Sequence, residues 1–275
     1  MILRANCKIN LGLDVLRRRE DGFHELDTVM LPVRGLYDLL TIEPLPNSSE
    51  IEFRGEGISI DCPASDNLCV KAAELMQRRY GVEQGVSITL DKQIPFGAGL
   101  GGGSADATSV ILAFDSIFEL GLSEEELIGV AAEIGSDTAF FVRNTPQICR
   151  GRGEIMEPID LPLDGLTLVL IKPDGVNVST REAYGGVRPF VPTQRLSELL
   201  KLPIERWQGA VKNDFEPHIF EAYPLLAQIK RDLLAAGAIY AAMSGSGSTI
   251  FGLFREPKKT EGEQLKSYSP YIFEL

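Results

Sequence analysis

Residues that form disulfides or bind structural metals are scarce in this sequence. It has four cysteines (Cys7, Cys62, Cys69 and Cys149), none of them in a C-x-x-C pair, and only two histidines accompany them. A structural zinc site usually needs four such ligands at short spacings, so the sequence does not predict one. The four thiols are instead expected to be reduced, as in proteins of the cytoplasm.

Long apolar runs and an excess of basic charge are also missing. No run approaches the roughly 18 apolar residues that a membrane-spanning helix needs. No signal peptide is predicted either, because Met1 to Arg4 lead directly into a strand pattern. The formal net charge is −12 at pH 7, from 39 acidic and 27 basic residues. This charge argues against nucleic acid or an anionic membrane as a partner.

Glycine, by contrast, is concentrated in one stretch. Five glycines lie within residues 97–103, and Ser104 follows them. The alternating residues 86–90 predict a strand before the stretch, and apolar residues at helical spacing over 110–118 predict a helix after it. A glycine loop between a strand and a helix N-terminus presents backbone N–H groups to an anion, most often phosphate. A flexible linker is the plain alternative, but linkers are not framed by such periodicity.

Two familiar nucleotide motifs do not explain this loop. The P-loop pattern fails because no lysine precedes Ser104. A G-x-G-x-x-G match begins at Gly97, but Pro95 separates it from the strand. The acidic ribose ligand expected about twenty residues further on could only be Glu119, which lies in the helical run. A dinucleotide-binding oxidoreductase is therefore a weaker alternative to a phosphate loop of a third kind.

The remaining patterns predict a mixed order of strands and helices. Residues 7–16 alternate strictly, which places Lys8 and Asn10 together on the strand face that points away from the core, where polar residues are usually solvated. Helices are predicted at 67–80, at 123–135 with a Ser123/Glu126 capping box, and at 224–236, with weaker patterns at 178–184, 193–201 and 203–211. A stretch rich in Pro, Asp and Gly at 154–165 suggests two domains, 1–155 and 156–275.

Three further features each have two interpretations. Phe23 and His24 follow the charged turn 17–22, and they either form a platform for a ring or simply pack. Asp137 follows the predicted helix end at Gly135, and it is either a turn residue or a catalytic carboxylate. The Ser/Gly segment 244–248 joins two predicted strands as a plain hairpin turn or as a second anion-binding nest.

Taken together, these features describe phosphoryl transfer to the hydroxyl of a small molecule. The glycine loop would hold nucleotide phosphates, and the Lys8 ammonium would favour the ionised Asp137 as the proton acceptor. The sequence here resembles the GHMP kinases, which bind ATP without a P-loop. Its matching stretches follow the family order: Cys7 to Leu13 (C-K-I-N-L-G-L), Asp21 to Leu26 (D-G-F-H-E-L), Pro95 to Ser104, Gly135 to Phe141, Asn213 to Pro217 (N-D-F-E-P), and Ser244 to Ser248.

The resemblance implies a fold, a reaction and its partners. The fold would be α+β, with a first domain like ribosomal protein S5 domain 2 and a ferredoxin-like second domain. The Lys-x-Asn and Asp-Gly-(aromatic)-His pair points to those members that phosphorylate the 2-hydroxyl of a diphosphocytidyl methylerythritol in non-mevalonate isoprenoid synthesis. We therefore expect ATP and Mg2+ as cofactors, a small-molecule substrate, and a monomer or weak homodimer in the cytoplasm.

The family motifs also imply roles for individual residues. Asp137 would be the general base with Lys8 beside it, His24 would read the cytosine edge, and Phe23 and Tyr184 would sandwich the ring. Ser104 would lie close to Mg2+. The ATP loop would consist of Pro95, Phe96, Gly97, Ala98, Gly99, Leu100, Gly101, Gly102, Gly103, Ser104 and Ala105. The substrate would be bound by Asn10, Phe23, His24, Thr180, Tyr184, Ser244, Gly245, Ser246 and Gly247.

Two positions depart from the family pattern, and two other interpretations of the function stay open. Phe23 replaces the usual tyrosine and keeps its stacking face, while Ala105 lacks the hydroxyl of a second serine. A GHMP kinase for homoserine or mevalonate would leave Phe23, His24 and Tyr184 without a role, because those substrates carry no base. A non-catalytic sensor on the same fold is disfavoured by the presence of both Lys8 and Asp137.

Overall fold

A computed structural model describes residues 1–59 and 63–275 of the chain. Cys62, one of the thiols expected to be reduced, lies outside these residues. The chain divides into two compact units. The first unit contains Met1–Lys8, Pro32–Phe96 and Gly101–Thr145, and the second contains Ile9–Leu31, Gly97–Leu100 and Pro146–Leu275. The sequence-based boundary after residue 155 stays a prediction.

Two long strands contribute residues to both units. Strands β1 (Ile2–Arg18) and β2 (His24–Leu45) pair with each other. The charged turn between them closes through a hydrogen bond from Arg19 N to Phe23 O (2.8 Å), and Gly22 adopts a positive φ of 85°. The Asp-Gly sequence of this turn is typical of a hairpin, and the hairpin is confirmed.

The first unit combines three paired strands with four helices among its described residues. Strand β3 (Ile51–Gly57) pairs in parallel with β4 (Gly85–Lys92), and β4 pairs antiparallel with β2 from Leu39 to Leu45. The helices are α1 (Leu68–Tyr80), α2 (Gly102–Ile117), α3 (Glu124–Ile134) and α4 (Phe140–Arg143).

Both ends of α1 and the start of α3 are capped. Asn67 accepts a hydrogen bond from Cys69 N at the start of α1, and Gly81 ends that helix with φ 67°. Both hydrogen bonds of the Ser123/Glu126 capping box are present at the start of α3. The predicted helix ends are therefore confirmed to within a residue or two.

The predicted solvated face of β1 is wrong. Lys8 and Asn10 are each only 2% exposed, and the strand is buried without interruption from Ala5 to Leu13. Strict alternation therefore does not mark a half-exposed strand here. The polar face is buried because its side chains have partners inside the protein, which a buried polar group requires.

The second unit contains the remaining strands and helices. Its elements are β5 (Gln147–Gly151), β6 (Ile155–Pro158), β7 (Thr167–Ile171), α5 (Thr180–Gly186), α6 (Leu196–Leu199), α7 (Glu216–Ala222), α8 (Pro224–Ala235), β8 (Tyr240–Met243), β9 (Ile250–Phe254), α9 (Glu263–Lys266) and β10 (Tyr271–Glu274). Strand β5 pairs antiparallel with the first half of β2, from Leu26 opposite Gly151 to Met30 opposite Gln147, and β6 pairs with β5. A separate four-stranded antiparallel sheet has the order β10-β7-β9-β8.

The weaker helical patterns are only partly helical. The pattern at 193–201 shortens to α6, because Pro203 follows closely and prevents the helix from continuing. The pattern at 203–211 is a single 3-10 turn, Ile204–Arg206, since Gly209 takes φ 89°. Helix α7 and strand β10 were not predicted. None of the helices in the described part of the chain is long and apolar enough to cross a membrane.

Three of the four cysteines are buried. Cys7, Cys69 and Cys149 form no disulfide. Burial raises the pKa of Cys7 to about 12 and that of Cys69 well above its usual range. These two thiols are therefore protonated at neutral pH and unreactive.

A buried ion cluster in the first unit joins β2, β4 and α2. Lys92 Nζ hydrogen-bonds to Asp38 and lies 2.6 Å from Asp106 Oδ2. Asp38 Oδ1 also accepts the backbone N–H groups of Gln93 (2.6 Å) and Ile94 (2.7 Å). The three charged side chains are at most 2% exposed. Asp38 is thus fully engaged, whereas Asp106 Oδ1 has no hydrogen-bond partner among the described residues.

The two carboxyl groups of this cluster compete for one ammonium group. Burial raises the pKa of Asp106 to about 8; Lys92 opposes the rise and the charge of Asp38 adds to it. Burial lowers the pKa of Lys92, but the charges of Asp106 and Asp38 outweigh it and raise that pKa. Around neutral pH the cluster therefore holds one ammonium, one carboxylate and one carboxylic acid.

We predict that Asp106→Asn stabilises the protein at alkaline pH. The unfolded chain releases the Asp106 proton near pH 4, while the folded chain keeps it to about pH 8, so stability falls as the pH rises between these values. Asparagine resembles the protonated acid and removes this slope. Urea unfolding should show a gain of about 1 kcal/mol at pH 5 and a gain several times larger at pH 8.5.

Asp38→Asn is the matched control for this prediction. It places an amide where two backbone N–H groups and Lys92 need an acceptor, so we expect a loss of about 3 kcal/mol at both pH values. An Asp106→Asn protein that loses stability equally at pH 5 and pH 8.5 would contradict the assignment of the proton to Asp106.

Candidate active site

The glycine loop leads from the end of β4 into the N-terminus of α2. Gly97, Gly99 and Gly101 have positive φ values of 61°, 73° and 70°, which other residues rarely adopt. Gly101 is the N-cap of α2, a helix of 16 residues whose first-turn N–H groups have no partner within the helix. This helix N-terminus is suited to an anion.

The side chains of this loop divide into buried and accessible groups. Ala98, Leu100 and Ala105 are at most 3% exposed, so only their backbone atoms could meet a ligand. Ser104 is half-buried, and Phe96 is 65% exposed. A bound phosphate would therefore contact main-chain N–H groups and one hydroxyl.

Within the second unit, Gly99 is packed against the Ser/Gly turn at 244–248. A Cβ atom on Gly99 would lie 2.1 Å from Ser244 O and 3.0 Å from the backbone of Gly247. Ser244 Oγ donates to Gly99 O (2.9 Å), and Thr249 N donates to Ala98 O (3.1 Å). Gly99 is thus needed because another backbone passes where a side chain would be.

Within the first unit, the next two glycines are packed against lysines. A Cβ atom on Gly101 would lie 3.0 Å from Lys8 Cε and 3.1 Å from Phe141 Cζ. A Cβ atom on Gly102 would lie 3.0 Å from Lys92 Nζ, in the buried ion cluster. The loop therefore approaches the Lys8 side chain closely.

Lys8 and Asp137 form an ion pair in the first unit. Lys8 Nζ lies 3.1 Å from Asp137 Oδ2, and the Lys8 side chain is 3% exposed while that of Asp137 is 34% exposed. Asp137 lies in the turn between α3 and α4. Thr108 Oγ1, from α2, donates to Thr138 O (2.8 Å) and so ties that turn to α2. The pair thus joins a buried cation to a carboxylate that solvent and a ligand can reach.

Asn10 lies two residues after Lys8 on β1 and is held by hydrogen bonds in the second unit. Its Nδ2 donates to Thr28 Oγ1 (3.0 Å), whose own hydroxyl donates to Gly12 O (2.7 Å). Its backbone N donates to Ser244 Oγ (3.2 Å). Sequence reasoning did not identify Thr28, because nothing in a strand pattern shows which residue lies beside it.

Five aromatic or basic side chains near the β1–β2 turn contact one another in pairs. The rings of His24 and Tyr184 stack with centroids 4.8 Å apart and planes inclined by 23°. Tyr184 also meets Phe215 edge-on at 4.8 Å. Phe23 is 51% exposed, and the Arg152 guanidinium lies over its ring, 4.8 Å from the centroid. A ring sandwich between Phe23 and Tyr184 stays a prediction.

The surroundings of His24 favour the neutral form of its imidazole. Burial lowers its pKa below the usual value, and the charge of Arg18 adds to the effect. A neutral imidazole has one donor and one acceptor nitrogen, so it can hydrogen-bond to the edge of a base. Thr180, the first residue of α5, is exposed, and Ser246 is half-buried in the turn.

Cation-binding side chains do not cluster in the described residues. No group of three or more His, Cys, Asp and Glu side chains there is arranged to hold a metal ion. A Mg2+ ion that binds together with phosphates needs only one or two protein oxygen ligands, so Ser104 is compatible with such an ion.

Comparisons with known proteins identify the family of this chain. Residues 67–145 match the model of the GHMP kinases N terminal domain, and residues 196–268 match that of the GHMP kinases C terminal. A 4-diphosphocytidyl-2-C-methyl-D-erythritol kinase of Bacteroides fragilis is 44% identical over 260 residues, which cover 94% of each chain. One of Cytophaga hutchinsonii is 39% identical over 276 residues and covers both chains completely.

Solved structures give the same result. A crystal structure of 4-(cytidine 5'-diphospho)-2C-methyl-D-erythritol kinase matches with a TM-score of 0.82 and 35% identity, covering 99% of this chain and 97% of the other. A homoserine kinase from Cytophaga hutchinsonii matches at TM-score 0.71 with 18% identity, over 98% and 93% of the two chains, which shows a shared fold alone. The expected α+β fold with two GHMP kinase parts is confirmed. The chain belongs to the GHMP kinase family, within the group of the 4-diphosphocytidyl-2-C-methyl-D-erythritol kinases.

Proposed function

We propose that this chain transfers the γ-phosphoryl group of ATP to the 2-hydroxyl of 4-diphosphocytidyl-2-C-methyl-D-erythritol, in the non-mevalonate isoprenoid pathway. The observation that carries the proposal is the Lys8–Asp137 pair, 3.1 Å apart, whose lysine packs against Gly101 at the start of α2. A buried cation and an accessible carboxylate beside a phosphate loop are the groups that phosphoryl transfer to an alcohol needs. Relatives of 39–44% identity carry the name of this kinase.

Asp137 accepts the proton of the attacking hydroxyl in this proposal. The substrate oxygen forms a bond to the γ-phosphorus, the bond from that phosphorus to the bridging oxygen breaks, and the proton moves to the Asp137 carboxylate. The Lys8 ammonium lies beside the same carboxylate and stabilises negative charge on the reacting oxygens. Most of the rate enhancement then comes from positioning and charge.

The glycine loop fits ATP, which supplies the phosphoryl group when bound. The backbone N–H groups of Gly102, Gly103 and Ser104 would hold its phosphates at the helix N-terminus. Gly97, Gly99 and Gly101 take positive φ values and so give the loop a backbone shape that other residues rarely adopt. Ser104 would provide the protein oxygen for a Mg2+ ion that is otherwise held by phosphates.

The cytidine part of the substrate would be recognised in the second unit. Phe23 offers an exposed ring face for stacking, while His24, already stacked on Tyr184, offers a neutral edge for hydrogen bonds. Asn10, Thr180 and the turn 244–247 would bind the rest of the substrate. A monomer or weak homodimer in the cytoplasm stays a prediction.

The first test is a substrate panel with ATP as donor. We expect phosphorylation of the diphosphocytidyl substrate and none of homoserine or mevalonate, because only the first has a base for Phe23 and His24. The readout is ADP release with product analysis by mass spectrometry. If none of the three is phosphorylated and NAD binds in a fluorescence titration, the kinase assignment is wrong. A dinucleotide-binding oxidoreductase is then favoured.

Asp137→Asn should remove turnover and leave the fold intact. The amide keeps the shape but cannot take up the proton, so kcat should fall by about 10²- to 10⁴-fold, the usual contribution of a general base. Steady-state kinetics and a thermal unfolding curve measure the two properties. Asp164→Asn, at an exposed position of the second unit, is the control and should keep full activity. Near-normal kcat in Asp137→Asn would rule out this base.

Phe23→Ala should weaken binding of the cytidyl substrate far more than binding of ATP. Stacking of a base on an aromatic ring contributes about 1–3 kcal/mol, so the KM for this substrate should rise by about 5- to 150-fold. Phe23→Tyr restores the usual family residue and should behave like wild type. The control is Phe190→Ala, a phenyl group of the same unit that is 66% exposed. Equal rises in both KM values would count against stacking on Phe23.

A further inference from the structure

The segment 213–217 (N-D-F-E-P) matches the family pattern, but nothing so far explains why these residues are needed. Asn213 is 2% exposed and lies between Val211 and α7. We infer that Asn213, together with Glu216, is a positioning residue that holds the Ser244 turn in the place where it fixes Gly99 of the phosphate loop. The inference rests on the proposed function, because it assigns that loop to ATP.

Each polar atom of the Asn213 side chain is engaged. Its Nδ2 donates to Met243 O and to Gly245 O, both at 2.8 Å. Its Oδ1 accepts from Phe215 N at 3.0 Å. The orientation of the amide is determined by these partners, because a flipped amide would set its oxygen against two carbonyl groups. Asn213 thus ties together the carbonyl groups on either side of Ser244.

Glu216 binds the other polar group of Met243. Its Oε1 accepts from Met243 N at 2.8 Å, and its Oε2 accepts from Lys230 Nζ at 2.6 Å. Met243 is the last residue of β8, which is an edge strand of its sheet. Backbone groups at an edge have no neighbouring strand to pair with. The motif side chains take the place of that strand just where the turn begins.

The position of the Ser244 turn determines where Gly99 lies. Ser244 is fully buried, and its hydroxyl both donates to Gly99 O (2.9 Å) and accepts from Asn10 N (3.2 Å). No side chain fits at Gly99, because a Cβ atom there would be 2.1 Å from Ser244 O. A displaced turn would therefore move Gly99 and disturb the loop geometry that ATP requires.

The neighbouring Asp214 provides a matched control. It is half-buried, and its Oδ2 accepts from Val15 N at 2.8 Å, so it supports β1 and not the turn. If the motif were only structural, removing either side chain would lower stability and the amount of folded enzyme. The KM for ATP of the remaining folded enzyme would then be unchanged.

The experiment is a double-mutant cycle on the full chain. Asn213→Ala and Ser244→Ala should each raise the KM for ATP or lower kcat/KM for ATP by about tenfold or more, since small misplacements are costly. The double variant should be no worse than the more affected single variant, because both act on the same turn. The KM for the cytidyl substrate is expected to rise as well, because the turn 244–247 is also proposed to bind that substrate. Asp214→Ala should keep the wild-type KM for ATP even where its unfolding temperature falls.

The outcomes separate three cases. An unchanged KM for ATP in Asn213→Ala, or losses that multiply fully in the double variant, would overturn the positioning role. If Asn213→Ala does not fold, Asn213→Ser, which keeps one donor, replaces it and must show the same rise in the KM for ATP. A wild-type protein that phosphorylates nothing with ATP would refute the proposed function itself, which is a different result.

Discussion

Close backbone approach at the glycine loop is the constraint on which the candidate site depends. Gly99 lies against Ser244 O, Gly101 against the Lys8 side chain, and Gly102 against Lys92 Nζ. A glycine run is usually explained by the ligand that must come near it. In this protein the glycines are needed just as much by the protein atoms behind them. Any side chain at these positions would push away a group that the loop needs.

The suitability of the loop for an anion also depends on local groups and not on the net charge of the chain. The chain carries a net charge of −12, yet its glycine loop is suited to an anion. The two lysines packed against the loop are buried, and each lies beside acidic side chains: Lys8 beside Asp137, and Lys92 beside Asp38 and Asp106. Their charge is thus largely balanced before a ligand arrives. Oriented N–H groups at the start of α2 must therefore contribute much of the attraction for phosphate.

Local features of the fold could be predicted from the sequence, and long-range ones could not. The Asp-Gly hairpin, the Ser123/Glu126 capping box and the helix end at Gly81 each depend on a few neighbouring residues, and each is present. The exposure of the β1 polar face was predicted wrongly, because alternation does not reveal that Lys8 and Asn10 have partners far along the chain. Strand β10 was missed because it is short and depends on its pairing with β7.

The candidate site likewise contains residues that could be identified from the sequence and residues that could not. Residues proposed to bind a ligand, such as Asp137, His24 and the loop glycines, belong to compact motifs with a chemical meaning of their own. Residues that hold those motifs have no such signature. Asn213 could be quoted as part of a matching segment, but its two hydrogen bonds to the carbonyl groups around Ser244 become visible only in three dimensions. The motif therefore identifies the loop, while the turn behind Gly99 is inferred to hold that glycine in the position that the proposed phosphate binding needs.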